Sequence, residues 1–349
     1  MRVVVLAGCS ALLLFAASAA AEKAHFGYPN SIILIGHSGG TGYGSDPNRP
    51  GADAIENSWA TGTNPVVDSV YLRILAQNAG IRNHAVNSAR DGAKIRDILG
   101  QAAGATRLKT KPELVLIQGM DNDITCSGDQ AAHLADFKTT FTKVLRTLSR
   151  GLPNARIFVT SQLGRPLTYA RAIQSVPDAR QTQTGTGPCD LFDQAGNIAL
   201  EHVSFLTQII ESYEHAEADV CAGYVHCRYD GGAMASGVDQ LEYLGPDFSH
   251  LSISGHGWAA ALAWSAIFDF ADASAPVSQA ARAGRTVTLS ASADVGVSGI
   301  EYKLTAPKKK PAKWFTRYTK PLTLKHGWTL TWRAVDVNGN SEATHSLRG

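Results

Sequence analysis

The chain has 349 residues, 44% hydrophobic and 18% charged, and a formal net charge of only +2. That composition is globular. It excludes disorder, collagen-like repeats and a coiled coil, and it carries no whole-chain signature of nucleic-acid binding. The length fits one large or two ordinary domains.

Residues 1–21 place Arg2 ahead of an apolar stretch ending in Ala19-Ala20-Ala21. This is the pattern of a secretory signal peptide, with cleavage expected after Ala21. A membrane anchor is the rival, but no basic stop-transfer flank follows the apolar run. A lipoprotein-like box at Leu6-Ala7-Gly8-Cys9 is set aside because the better hydrophobic core follows Cys9. The mature chain is therefore expected to start at Glu22, to be secreted or periplasmic, and to have no transmembrane segment. Its four cysteines, Cys126, Cys189, Cys221 and Cys227, read as two disulfides in an exported chain. Of the three pairings they allow, Cys221–Cys227 as a local loop and Cys126–Cys189 as a longer tie are favoured. The competing reading, zinc held by Cys221, His226 and Cys227, lacks a fourth ligand and a C-x-x-C pair.

From Glu22 the chain alternates short β-rich runs with helical patterns. Ser31–Gly36 is a continuous apolar run of the kind found in a strand buried on both faces, and Leu114–Gln118 and Ile157–Ser161 repeat it. Helical periodicity is expected over 67–78, 133–148, 197–213 and 254–270. Strand, helix, strand, helix at this spacing predicts a parallel sheet flanked by helices. Residues 163–245 exceed an ordinary connection and read as an elaborated insertion. Near residue 272 the charge changes sign. Residues 22–275 carry 19 Lys+Arg against 26 Asp+Glu, a net of −7, while 276–349 carry 12 against 4, a net of +8. The join, Asp272-Ala273-Ser274-Ala275-Pro276, has linker composition. Beyond it, short alternating runs at 286–291, 299–304, 321–324 and 329–335 predict an all-β sandwich. Asp336–Asn340 has the composition of a calcium loop without its distal Glu, so a turn is expected there.

The chemistry starts at Gly36-His37-Ser38-Gly39-Gly40, directly after the first strand. A serine at the carboxyl end of a parallel strand lies where open α/β sheets place their sites. The spacing also matches the G-x-S-x-G nucleophile elbow of α/β-hydrolases. Only 16 mature residues precede Ser38, room for a single strand, and that fold needs several. A complementary segment comes late: Asp247-Phe248-Ser249-His250 puts a carboxylate and an imidazole on one loop. His250 can then serve as general base for Ser38, with Asp247 orienting the ring.

With those residues in view, the chain resembles the SGNH (GDSL-type) hydrolases over roughly 31–270. The resemblance matches Ser38 in the first block, Gly92 in Asn87–Ala93, Asn122 in Gly119–Asp123, and His250 with Asp247 in the last. It implies a three-layer αβα, flavodoxin-like parallel sheet. It also implies a Ser38–His250–Asp247 acyl-enzyme mechanism without metal or other cofactor. The oxyanion donors it implies are the backbone N–H groups of Ser38 and Gly92 and the Asn122 amide. Two positions depart from the family pattern: His37 stands where Asp is usual, and Met120-Asp121 adds one residue before Asn122-Asp123. Asn122-Asp123-Ile124-Thr125-Cys126 resembles the N-D-x-C arrangement of phospholipase B-like members, with two residues rather than one between Asp and Cys.

Domains are therefore expected at 22–272 (hydrolase) and 276–349. The second resembles bacterial immunoglobulin-like modules through Tyr302, Trp314, Tyr318–Leu322 and Trp332–Asp336. The expected substrates are small-molecule, lipid or acylated-sugar esters, and Trp59 either lines their pocket or packs under its loop. The basic module, with Lys308, Lys309, Lys310 and Lys313 in one loop, is a candidate for contact with an anionic envelope surface. No nucleic-acid partner is expected. The alternative function is a non-catalytic envelope-binding protein on the same scaffold.

Overall fold

A computed structural model describes residues 21–349, so the expected signal peptide, apart from Ala21, lies outside the described residues. In chain order the first unit comprises β1 (Ile32–Ile35), α1 (Ser38–Thr41), α2 (Val70–Gln77), β2 (Ala85–Asn87), α3 (Ile95–Ala105), β3 (Leu114–Gln118) and α4 (Gln130–Gly151). There follow β4 (Arg156–Thr160), α5 (Pro166–Ile173), α6 (Pro177–Thr182), α7 (Leu200–Cys221), β5 (Cys227–Tyr229) and α8 (Ile253–Ala266). The five strands form one parallel sheet in the order β2-β1-β3-β4-β5.

β1, and β3 up to Gln118, are continuous apolar runs because both faces of the sheet are covered. Within β1, Ile33 and Ile35 join the core under α3, α4 and α7, while Ile32 and Leu34 join the core under α2 and α8. The same alternation splits Val115 and Ile117 from Leu114 and Leu116 in β3. A truncation such as Ile33→Ala in such a core costs about 2–5 kcal/mol. Helix α8 carries alanine, tryptophan and leucine around most of its circumference, which suits a helix pressed against the sheet. Its N-cap is Ser252, whose side chain accepts from Gly255 N–H at 3.1 Å.

The two disulfides are Cys126–Cys189 and Cys221–Cys227, with Cα separations of 5.6 and 5.3 Å. The first ties the loop after β3 to the elaborated 163–245 region, which builds a small core of its own around Phe192 and Ile173. The second joins the end of α7 to the start of β5, so neither of its thiolates is left for a metal.

The second unit has two antiparallel sheets. One contains β6 (Val277–Ala283), β7 (Thr286–Ser292) and β10 (Leu322–Thr323), and the other β8 (Val297–Thr305), β9 (Thr316–Arg317), β11 (Thr329–Asp336) and β12 (His345–Arg348). They close over Val287, Leu289, Ile300, Leu330 and Trp332. The 336–340 segment is a turn: Asp336 Oδ1 accepts from the N–H groups of Asn338 and Asn340, both at 2.8 Å.

The sandwich docks firmly on the amino ends of the parallel strands. Arg156, the fully buried first residue of β4, donates to Gly27 O (2.6 Å) and to Asn340 Oδ1 (2.7 Å). Arg333, equally buried on β11, donates to Glu301, to Asn154 Oδ1 (2.6 Å) and to Pro153 O (2.8 Å). The segment at His25 pairs with Ser341 of the sandwich. None of the described helices is long and apolar enough to cross a membrane.

Candidate active site

Ser38 is the first residue of α1, one residue beyond the Gly36-His37 exit from β1. The exit must be tight, because a Cβ on Gly36 would sit 2.5 Å from the Gln118 carbonyl oxygen of β3. Gln101 of α3 clamps the same residue, accepting from Gly36 N–H at 2.7 Å and donating to Gly36 O at 2.9 Å. Both contacts are buried, so the Ser38 turn has little freedom to shift.

The loop before α8 delivers the other two groups. His250 Nδ1 lies 2.7 Å from Asp247 Oδ2, and His250 Nε2 lies 3.0 Å from Ser38 Oγ. A carboxylate only accepts, so Nδ1 carries the proton and donates to Asp247, leaving Nε2 to accept from the Ser38 hydroxyl. Asp247 is further held by the backbone N–H groups of Ser249 and His250, both at 3.0 Å. Partial burial pushes its pKa up, but these donors and the His250 side chain outweigh burial and hold it below the ordinary value. Phe248, between them, adopts φ +56°, a left-handed conformation that folds Asp247 back onto His250. Its carbonyl accepts from the Tyr169 hydroxyl at 2.7 Å. Tyr43 packs against the His250 ring, centroids 4.6 Å apart. The nearby His256 is fully buried in α8. Burial, with His250 adding a smaller push, lowers its pKa to about 3, so it stays neutral.

The sheet order decides where the remaining predicted residues fall. β1 lies between β2 and β3, so the loops that follow those strands, carrying Gly92 and Asn122, flank the Ser38 turn on its two sides. Gly92 is exposed at φ +66°, where a side chain would be strained. Asn122 lies in a 3-10 turn, Asp121–Asp123, preceded by Met120 at φ +65°. Its Nδ2 donates to Ala93 O at 3.0 Å, leaving a second N–H on the same amide. Asp123 Oδ2 accepts from Ile95 N–H at 2.8 Å, a second tie between the two loops. Asn87 donates to Gly40 O at 2.8 Å, and Arg90 N–H donates to Gly36 O at 3.1 Å, linking the Gly92 loop to the Ser38 turn.

The two departures from the family pattern meet each other. His37 Nδ1 accepts from Gly39 N–H at 3.1 Å, so the ring caps the Ser38 turn. With Nδ1 accepting, Nε2 carries the proton, and it lies against Asp121 Oδ2, the residue added in the third loop. The imidazole and the extra carboxylate together bridge the serine turn and the Asn122 turn.

Trp59 takes the second of its two expected places, and two further residues, Gln101 and Glu217, were not legible in the sequence. Trp59 does not line a pocket: it is fully buried and donates from Nε1 to Gln118 Oε1 at 2.9 Å. Gln101 is a mid-helix glutamine with no sequence signal that it grips Gly36. Glu217 of α7 is fully buried, with neither carboxyl oxygen hydrogen-bonded, directly beneath Gly119. Burial, reinforced by Asp121 and three further carboxylates, raises its pKa well above the ordinary value. The folded state therefore holds a proton that the unfolded chain releases as pH rises above the usual carboxylate range. Its cost to stability grows with pH until the raised pKa is passed. Glu217→Met is expected to stabilise the chain by about 1–3 kcal/mol at pH 8 and by less at pH 5. Thermal melts at the two pH values check this, and a gain independent of pH would contradict it.

Compared with known proteins, the GDSL-like Lipase/Acylhydrolase family model matches residues 32–263. Comparison with curated proteins finds no match. Among solved structures, the chain is similar to phospholipase A1 from Streptomyces albidoflavus NA297. The two are 15% identical over 69% of this chain and 100% of that one, with a TM-score of 0.42. It is also similar to the psychrotrophic esterase EstA from Pseudoalteromonas sp., 12% identical over 68% and 96% of the two chains, TM-score 0.40. An acetyl xylan esterase aligns at 15% identity over 68% and 99%, TM-score 0.35.

Proposed function

Because the chain belongs to the GDSL-like lipase/acylhydrolase family and is a carboxylic ester hydrolase, we propose that it cleaves its ester through an acyl-enzyme on Ser38. The single observation that carries this reading is the hydrogen-bonded line Ser38 Oγ, His250 Nε2, His250 Nδ1, Asp247 Oδ2. Ser38 Oγ bonds to the ester carbonyl carbon while its proton passes to His250 Nε2. The tetrahedral intermediate collapses, its bond to the alcohol oxygen breaks, and His250 returns the proton to that oxygen. Water then attacks the acyl-enzyme by the same route, with His250 as base, and releases the acid and Ser38. Asp247 keeps the ring in the required tautomer and stabilises the imidazolium.

The negative oxygen of each intermediate falls to the N–H groups of Ser38 and Gly92 and to the free N–H of Asn122. Asn122→Ala is expected to lower kcat about 10²–10³-fold with little change in KM, because the donor matters most when the charge has formed. Steady-state hydrolysis of a p-nitrophenyl ester series tests both the activity and this split. An inactive wild-type chain, or Asn122→Ala acting on KM alone, would contradict the assignment.

We also place the reaction outside the cytoplasm. The signal-peptide pattern of 1–21 and the two disulfides support that address. The substrate class that fits is a small-molecule, lipid or acylated-sugar ester. Ser38 and His250 are half-buried and Asp247 is exposed, so the reacting groups stand at an open rim.

A further inference from the structure

We propose that the cleft between the parallel-sheet unit and the β-sandwich binds a segment of acidic polysaccharide, at the end of the sheet opposite to Ser38. The cleft measures about 280 Å³. One wall is α4, which contributes Arg146 and Arg150, and the other is the sandwich, which contributes Trp314 and Arg317. Pro153 and His226, which precede β4 and β5, lie at its base.

The charges there are unbalanced. Among the described residues, Arg96 and Lys138 are paired with Asp136 and Asp219, but neither Arg146 nor Arg150 is paired with a carboxylate. The one carboxylate in the cleft, Glu301, is taken up by Arg333 at 2.6 Å and faces His226 at 3.4 Å. Arg317 is half engaged, donating to Ala222 O and Ser298 O at 3.0 Å each, which also spans the two units. His226, at the base, is only 8% exposed, and its Nδ1 has no hydrogen-bond partner.

Charge alone would admit any anion; the aromatic groups narrow the class. The Arg150 guanidinium lies 4.7 Å from the Trp314 ring centroid, and Trp314 remains 40% exposed. Tyr224 lines the same cleft and feels both Arg146 and Arg150. Flat rings beside guanidinium forks suit a sugar ring that carries a carboxylate: the ring stacks while the fork takes the charge. Exposed Lys308, Lys309, Lys310 and Lys313 lie in the loop that leads into Trp314, and exposed Lys143 lies one turn before Arg146 on α4. The ligand is therefore extended and not a single ion. A bilayer surface is too flat to enter the concavity, which is why a glycan chain is preferred to a lipid headgroup array. Such a site would hold the enzyme on a polymer while Ser38, at the other end of the sheet, remains free.

The test is calorimetric titration of the mature chain, residues 22–349, with an oligogalacturonide at low and raised salt. Saturable binding that weakens with salt is expected. Arg146→Glu/Arg150→Glu, and separately Trp314→Ala, are expected to weaken it at least about tenfold, the loss of one to two charge-assisted contacts. Their thermal midpoints are expected to stay at the wild-type value. Should the charge reversal unfold the chain, Arg146→Gln and Trp314→Ala carry the same reading. No binding by the wild type, equal affinity in the variants, or equal binding of a neutral xylo-oligosaccharide would overturn the proposal. So would binding of phosphatidylglycerol vesicles in place of the oligosaccharide. None of these readouts uses ester hydrolysis, so this site stands or falls apart from the role of Ser38.

Discussion

Ser38→Ala is expected to lower ester hydrolysis by about four to six orders of magnitude, and His250→Ala by nearly as much. The double variant should be scarcely worse than either alone. In the proposed mechanism the hydroxyl is nucleophilic only while Nε2, at 3.0 Å, accepts its proton. Without the base, the serine is an ordinary alcohol; without the serine, the base has nothing to activate at the carbonyl. Asp247→Asn should be intermediate, since an amide at Oδ2 turned toward Nδ1 would present N–H to N–H and favour the wrong tautomer. Rates that multiply independently across the three positions would show that these groups do not act as a unit.

Arg333→Ala is expected to have the largest effect on stability, a loss of about 3–5 kcal/mol. Arg333 is fully buried, holds Glu301 at 2.6 Å, and reaches across to Asn154 and Pro153 of the parallel-sheet unit. Burial alone would raise the Glu301 pKa, but His226 and Arg333 together hold it below the ordinary value. That depressed pKa contributes stability above the ordinary carboxylate range, and the contribution is lost as pH falls through the folded-state value. The penalty of Arg333→Ala should therefore be greatest at neutral pH and shrink in acid, where Glu301 can protonate. Pairing the change with Glu301→Leu should recover much of the loss, because the stranded carboxylate goes with it. Thermal melts of the three variants across pH check the sign. A single variant within about 0.5 kcal/mol of wild type would contradict the buried docking contact.

What the sequence disclosed follows from how strongly each element is marked. β1, β3 and β4 are apolar on both faces, and continuous runs such as Ile32–Ile35 admit few other readings. β2 and β5 are three residues each, Ala85–Asn87 and Cys227–Tyr229, half-buried and too short for any period to show. Helix α3 escaped because Gly100 and Gly104, which face open space, weaken its helix propensity, and because Gln101 is a polar letter on its buried face. Helix α7 runs to Cys221, eight residues past the expected 213, because Glu214 and Glu217, polar letters in the sequence, face inward. α8 stops at Ala266, short of the expected 270, with Phe268 and Phe270 leaving the helix to pack as core. In the sandwich, β6 and β12 are edge strands with few buried side chains, so their alternation is weak.

The site was more legible than its supports. Ser38, Asp247 and His250 sit in short segments whose residue types have few other uses together, and the structure brings them within hydrogen-bond reach. Gln101, Glu217, Arg156 and Arg333 carry no comparable signal. A sequence shows their polarity but not the distant partners that let them be buried, and those partners come from elements far along the chain. The encounter of His37 with Asp121 belongs with them: each is visible as a departure, but only the fold shows that one faces the other.

Labelling of the purified chain, residues 22–349, with a fluorophosphonate tests the role of Ser38 most directly, since the probe bonds only to a serine whose proton can be removed. Stoichiometric labelling of the wild type is expected, with none in Ser38→Ala and almost none in His250→Ala. A folded, disulfide-intact wild type that fails to label, or a Ser38→Ala chain that labels as well as wild type, would contradict the assignment of the nucleophile.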